Sequence, residues 1–387
     1  MRPALSKRAV RAAVLASLRD QGFEIHNGRV ISPGTLDKSG IRALNEVAVS
    51  RSVEMARRNL VRHEGRLIGY LADGSILDPE RIEPRLIQVH PESEEELLFR
   101  WARLHWSVPT AAGYGRRLRL LVTDAHNEKL IGLIGLGDGV FSLPARDEWV
   151  GWDRERRRTA LRGIMHAHVL GAVPPYSHLL GGKLVALLTA SLDTREVFAA
   201  RYAGRETVVS GDRQDGQLAL ITTTGALGRS SVYNRLRYRR TPEEAGRLVF
   251  QRVGLTQGTA QAQFGDDLYA MLKAYAIENC TISMKPISWG RGFRSRREVI
   301  DKALAHLGLD TKALAYGVDR EVWCAPLGTN AAAFLRGDAN KLEPYEDRVE
   351  ELAAFWRDRW LLGRATNDHR YRSFAPESWR LWQRSPN

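Results

Sequence analysis

Leu118-Arg-Leu-Leu-Val-Thr-Asp-Ala-His-Asn-Glu-Lys-Leu-Ile-Gly-Leu-Ile-Gly-Leu136 decides the fold class. Its apolar runs at 118–123 and 130–136 flank the turn Asp124-Ala-His-Asn127, which predicts an antiparallel hairpin of two buried strands. Downstream, Arg154 to Met165 reads as a basic helix or loop and Ala167 to Val173 as an apolar strand. Leu179 to Ala190 follows as a helix, Leu218 to Thr223 as a short strand, and Ser230 to Leu236 as a helical turn. Hairpin, strand, helix, strand and helix make an α/β arrangement, with one sheet packed between helices.

Upstream of the hairpin the chain reads as mainly helical. Residues 6 to 20 form one amphipathic segment and Ser39 to Arg62 a longer one. Ser93-Glu-Glu-Glu96 is a capping box ahead of Leu97, Leu98, Trp101 and Leu104. Beyond the core, Thr241-Pro-Glu-Glu244 has the signals of a helix start, and Leu268 to Glu278 reads as a helix. Gly290 to Arg297 is a linker candidate, Asp301 to Leu307 a helix and Glu321 to Ala325 a strand. A long amphipathic helix is expected from Glu343 to Leu362, with Val349, Leu352, Phe355, Trp356 and Trp360 on one side.

Of 387 residues 43% are hydrophobic, enough to bury a sizeable core and exclude a disordered tail protein, and 58 Lys or Arg against 45 Asp or Glu leave a net charge of +13 that favours polyanionic partners. Arginine dominates three of four basic groups: Lys7, Arg8 and Arg11; Arg154, Arg156, Arg157, Arg158 and Arg162; Arg235, Arg237, Arg239 and Arg240; Arg291, Arg294, Arg296 and Arg297. The guanidinium fork matches phosphate geometry, so nucleic acid, with DNA first, is the expected partner. A solvated face that only aids solubility is the bland alternative. Two cysteines, Cys280 and Cys324, exclude a disulfide framework and a four-Cys zinc module. The apolar stretch Ala12 to Leu18 is too short for a secretory signal, and no run is long enough to span a membrane. A cytoplasmic location is the expectation.

Several motifs of the core form a recognisable set: Tyr114-Gly-Arg-Arg-Leu-Arg-Leu-Leu-Val122, Asp138-Gly-Val-Phe141, Arg146-Asp-Glu-Trp-Val-Gly-Trp152, Leu170-Gly-Ala-Val-Pro-Pro-Tyr176 and Leu179-Leu-Gly-Gly-Lys-Leu-Val185. Together they resemble the Druantia anti-phage system protein DruA family, most specifically over residues 95 to 205. Val322-Trp-Cys-Ala-Pro-Leu327 and Phe355-Trp-Arg-Asp-Arg-Trp360 share its flavour. The resemblance implies a part in bacterial defence against phage beside a large helicase-like partner, or a mobile-element role. It implies no chemistry.

The core is also similar, more faintly, to the GNAT acyltransferase fold, with Ala167 to Val173 as the splayed strand and Leu179 onward as the pyrophosphate helix. Gly181 and Gly182 would then be the cofactor-binding glycines, since small residues let a phosphate approach a helix N-terminus. The pattern departs at Ser177, where the motif has Arg or Gln, and at Leu180, where it has its first glycine. The fold expected is therefore α/β (α+β): a mainly helical region at 1–110, a GNAT-like mixed-sheet core at 111–245, a helical connection at 246–289 and a basic mixed α/β region at 290–387.

Arg146-Asp-Glu-Trp-Val-Gly-Trp152 is the densest mixture of charge and aromatics. As a strand it would set Asp147, Trp149 and Gly151 on one face. Asp147, Arg146 and Asp138 are the catalytic candidates; Asp147 would act as acid, base or metal ligand beside a stacking tryptophan. The alternative makes Arg146 and Asp147 a buried ion pair. Asp138, Asp147 and Glu148 converging on Mg²⁺ would suit a nuclease, and His166 with His168 would need a third ligand to hold a metal. No Walker A sequence or complete dinucleotide fingerprint is present, so ATP and NAD are not expected and no cofactor is assigned.

Overall fold

The computed structural model describes residues 6–26, 29–31, 37–110, 115–206, 211, 213–256, 259–261, 264–282, 293–309, 315–317 and 320–382. The chain divides into two compact units, one of residues 1–52, 107–109 and 257–319, the other of 53–106, 110–256 and 320–387.

The larger unit is built on a seven-stranded sheet: β1 (Pro84–Gln88), β2 (Arg117–Asp124), β3 (Lys129–Asp138), β4 (Ile164–Ala172), β5 (Leu220–Thr224), β6 (Gln251–Thr256) and β7 (Arg320–Pro326). Across the sheet the order is β1, β2, β3, β4, β5, β7, β6. Only β4 and β5 run parallel. A parallel pair needs a crossover, and here it carries α4 and α5 of the series α1 (Glu94–Ala102), α2 (Pro144–Val150), α3 (Arg154–Ala160), α4 (Gly181–Thr189), α5 (Leu192–Tyr202), α6 (Ala331–Arg336), α7 (Val349–Trp356) and α8 (Leu362–Asn367).

The hairpin β2–β3 is apolar throughout because both its faces are covered. Leu118, Leu120, Val122, Ile131 and Ile134 join the core formed with Leu184 and Val185 of α4 and Leu352 and Trp356 of α7. Leu121, Leu130 and Leu133 face the other way, onto Phe99 and Trp101. Each such leucine stabilises the fold by roughly 1.5–3 kcal/mol. Strands from 84–88, 251–256 and 320–326 complete the sheet, so it extends beyond residues 111–245.

β4 pairs with β5 only from Ile164 to Ala167 and then continues alongside β3 alone to Ala172. His168 is passed over where the β3–β4 register shifts, a bulge that accompanies the parting of β4 from β5.

Three local readings are corrected. Arg146 to Trp152 is not a strand; α2 covers Pro144–Val150, with proline in its first turn and Gly151 at φ +75° after its end. That asymmetry of proline in and glycine out is a helix signature that outweighs the apparent alternation. The helix expected after Thr241 does not form. Glu244 does accept the Arg240 amide at 2.9 Å, but Gly246 at φ +71° turns the chain, and Arg247–Leu248 pairs with Arg237–Tyr238. The C-terminal helix begins at Val349 rather than Glu343. Pro344 disfavours helix in the residue before it, and the Glu343 carbonyl accepts Thr329 N at 2.9 Å.

In the smaller unit, Ser6 Oγ caps helix Lys7–Asp20, which buries Val10, Val14, Leu15 and Leu18. Helix Asp266–Asn279 packs against Phe293–His306, and Tyr275 Oη lies 2.8 Å from His306 Nδ1. Among the described residues no helix is long and apolar enough to cross a membrane.

Candidate nucleic-acid interface

Arg235-Leu-Arg-Tyr-Arg239 alternates in sequence; a turn with Arg235 at φ +59° leads into the short strand Arg237–Tyr238, where successive side chains point to opposite sides. Leu236 and Tyr238 are buried, while Arg235, Arg237 and Arg239 are exposed. Facing them is the end of α7, where the helix widens into a π turn at Arg357–Leu361 that carries Arg359 and Trp360. The three arginines, Arg359, Phe355 and Trp360 line a hollow of about 700 Å³. A second hollow of about 510 Å³ adjoins it through Arg239, Phe355 and Arg359.

None of these four arginines makes an ion pair among the described residues. Arg237 Nη1 donates to Gly246 O at 3.2 Å and Arg239 Nη1 to Pro242 O at 2.8 Å, which orients both guanidiniums. The Glu243 carboxyl is held below its usual value by its own amide, by Thr241 and in part by Arg239, and Glu351 and Asp358 line the second hollow. Phe355 and Trp360 meet edge to face, ring centroids 5.4 Å apart. Lys183 Nζ lies 5.3 Å from the Trp360 ring, its pKa lowered by burial. Neighbouring Arg240 and Arg247 differ: both pair with the buried Asp347, at 2.8 and 2.6 Å.

The other predicted arginines separate into exposed and engaged. Arg154 and Arg158 on α3 are exposed. Arg156 donates to Leu335 O and Phe334 O, satisfying carbonyls at the end of α6. Arg157 bonds Asp147 at 2.8 Å and lies 4.6 Å over the Phe141 ring. In the smaller unit Arg296 stacks 3.9 Å over Tyr269 and donates to Phe264 O, and Arg297 sits 3.5 Å from Asp301. Arg291 and the Arg294 side chain lie outside the described residues, as does Tyr114.

Of the acidic candidates, Asp147 is the most heavily engaged. Its Oδ1 accepts from Arg146 Nε, Arg146 Nη2 and Trp152 Nε1, and its Oδ2 from Arg157 Nη1 and Leu143 N. Burial raises its pKa, but Arg146 and then Leu143 and Trp152 outweigh that and hold the carboxyl below its usual value. Arg146 is fully buried and donates further to the Val140 and Phe141 carbonyls. This is the buried-ion-pair arrangement, and it staples the 140–143 loop to α2. Asp138 accepts the Arg116 amide and Nε at 3.0 and 2.6 Å, and Arg116 bridges on to Arg162 O and Gln214. Glu148 is exposed, and among the described residues no group of His, Cys, Asp and Glu is placed to hold a metal ion.

A sequence model of the family described as Druantia protein DruA matches residues 35–337. The chain belongs to the DruA family. The Druantia protein DruA of Escherichia coli (strain UMEA 4076-1) is 35% identical over 372 residues, covering 95% of this chain and 90% of that protein. No solved structure matches. By kinship the chain is a Druantia component of the DruA type.

In this DruA-family chain Gly181 is needed for packing, because a Cβ there would lie 2.7 Å from Tyr176 O and 3.0 Å from Ala172 Cβ. A Cβ on Gly182 would meet Val232 at 3.5 Å. Beside them, Leu180 adopts φ +59° and its carbonyl accepts the Trp356 indole N–H at 3.2 Å. His166 is hydrogen-bonded to Thr222 Oγ1 at 3.0 Å. Burial lowers both His166 and His168 to about 4, so the two rings are neutral. The residues that sequence reading missed are Phe355, Arg359 and Trp360. Their signal was the interleaved Phe355-Trp-Arg-Asp-Arg-Trp360, which the helical period assigns to a core face.

Proposed function

We propose that this DruA-family protein is the nucleic-acid-binding component of a Druantia anti-phage defence system. One observation carries the reading: Arg235, Arg237, Arg239 and Arg359, all without ion pairs among the described residues, converge on a hollow that also holds two aromatic rings. Guanidinium charge gathered in one place without ion pairs raises the local concentration of anions. Contacts of this kind grip the phosphate backbone and tolerate sequence. The chain has no Walker A sequence, so a helicase-like partner of the same system would supply any energy required.

The reading is tested by measuring DNA affinity from low to moderate salt. Four phosphate contacts predict a slope of about −3 in log K against log salt. A flat line, or no binding, refutes it.

A GNAT-like ancestry for the core finds support in the parting of β4 from β5 and in the helix that follows β4. The acyltransferase activity draws less: Leu180 keeps its side chain where the motif has glycine, and the Trp356 indole occupies the Leu180 carbonyl. Calorimetry with acetyl-CoA tests it directly, since heat of binding would revive the transferase. The nuclease reading draws no support from Asp147 and Asp138, whose oxygens are taken by the protein's own donors.

A further inference from the structure

We infer that the cleft between residues 235–239 and 355–360 seats a single strand of nucleic acid, with phosphates against the arginines and bases against Phe355 and Trp360. This rests on the nucleic-acid reading above and narrows it. A duplex turns its phosphates outward and keeps its base faces stacked inside. It would use the guanidiniums and make no use of the part of Phe355 and Trp360 that their packing against the core leaves open to the hollow. A single strand brings both groups at once, charge for the arginines and π-faces for the rings.

Size agrees with chemistry. The hollow of about 700 Å³ matches sites that enclose a small ligand, which suits a nucleotide or two and not the cylinder of a double helix. The adjoining hollow of about 510 Å³ shares Arg239 and Arg359 but is also lined by Glu351 and Asp358, so the phosphates are assigned to the first hollow.

Two departures from regular backbone frame the same place. Arg235 sits at φ +59°, a region costly for a residue with a Cβ. Across from it the π turn interrupts an otherwise α-helical stretch at Arg357–Leu361. Each aims a guanidinium into the hollow, and local strain of this sort gathers at ligand sites.

The test is fluorescence anisotropy of the full chain with labelled short oligonucleotides: single-stranded DNA, single-stranded RNA, and the blunt duplex of each. Either single strand should bind about tenfold more tightly than its own duplex. Trp360→Ala should remove most of that preference and Trp360→Phe should keep it, while Arg359→Glu, an exposed change, should weaken all forms with the melting temperature unchanged. Equal affinity for strand and duplex, with Trp360→Ala having no effect, overturns the inference and leaves the broader reading standing. No binding of any oligonucleotide overturns both.

Discussion

Two arginine-rich regions of the larger unit use the same side chain for opposite ends. Around α2 and α3, Arg146, Arg156 and Arg157 turn inward onto Asp147 and onto the carbonyls of 140, 141, 334 and 335. Around 235–239 and 359 the guanidiniums make no ion pair among the described residues, although Glu351 and Asp358 line the adjoining hollow. Linear charge density is similar in both runs. Both regions offer backbone carbonyls, and what separates them is the carboxylate: α2 offers the engaged Asp147, whereas Arg237 and Arg239 bond carbonyls and stand beside aromatic rings. Clustered arginines therefore mark a ligand site only after the internal acceptors have been counted.

The sharpest way to break the comparison is Asp147→Ala, which would leave Arg146 buried without a countercharge. It should destabilise by roughly 3–5 kcal/mol, seen as a large drop in melting temperature. A retained melting temperature with lost function would instead make Asp147 catalytic.

Acid comes next. Burial lowers His105, His166 and His168 to about 4, below the unfolded value near 6.5, so the unfolded chain binds more protons between those limits. Stability is therefore complete above about pH 6.5 and declines as pH falls toward 4, by on the order of 3 kcal/mol for His166 at the limit. Arginines stay charged throughout. Melting temperature should fall from pH 7.5 to 5, while oligonucleotide affinity, measured cold on folded protein, should hold or rise. Affinity falling with the melting temperature would tie the cleft to the buried histidines.

In the cleft, Arg235→Ala and Arg359→Ala should each weaken DNA binding about three- to tenfold and cut the salt slope by about 1. Their melting temperatures should stay within the small range of surface substitutions. The smallest effect should come from Arg156→Ala, which loses two bonds to carbonyls at the end of α6. It should cost about 1 kcal/mol and leave binding unchanged; weakened binding would enrol α3 in the interface.

Legibility followed the range of the interactions. The hairpin 118–136 and the strand 321–325 were readable because burial on both faces writes an uninterrupted apolar run. Half the cleft was readable too, since Arg235, Arg237 and Arg239 stand out in the sequence as one basic group. Its other half was not: the helical period places Phe355 and Trp360 on the core side with Trp356, as their packing against the core bears out, and only the fold brings 355–360 opposite 235–239. The capping pattern around α2 was present in Pro144 and Gly151 but yielded to the apparent alternation of 146–152. Satisfaction of Asp147 depends on five donors, one of them ten residues away, and no spacing rule anticipates it.

The widened turn at Arg357–Leu361 sets angular phase. An α-helix advances about 100° per residue, so removing a single residue there would swing everything beyond it a quarter-turn or more around the axis. Trp360 and Arg359 would then point along a different meridian from α7, although composition, charge and amphipathic character would hardly change. Length in that short stretch thus acts as a rotational dial, and among DruA relatives an insertion or deletion at this spot would matter more than most conservative exchanges of side chain.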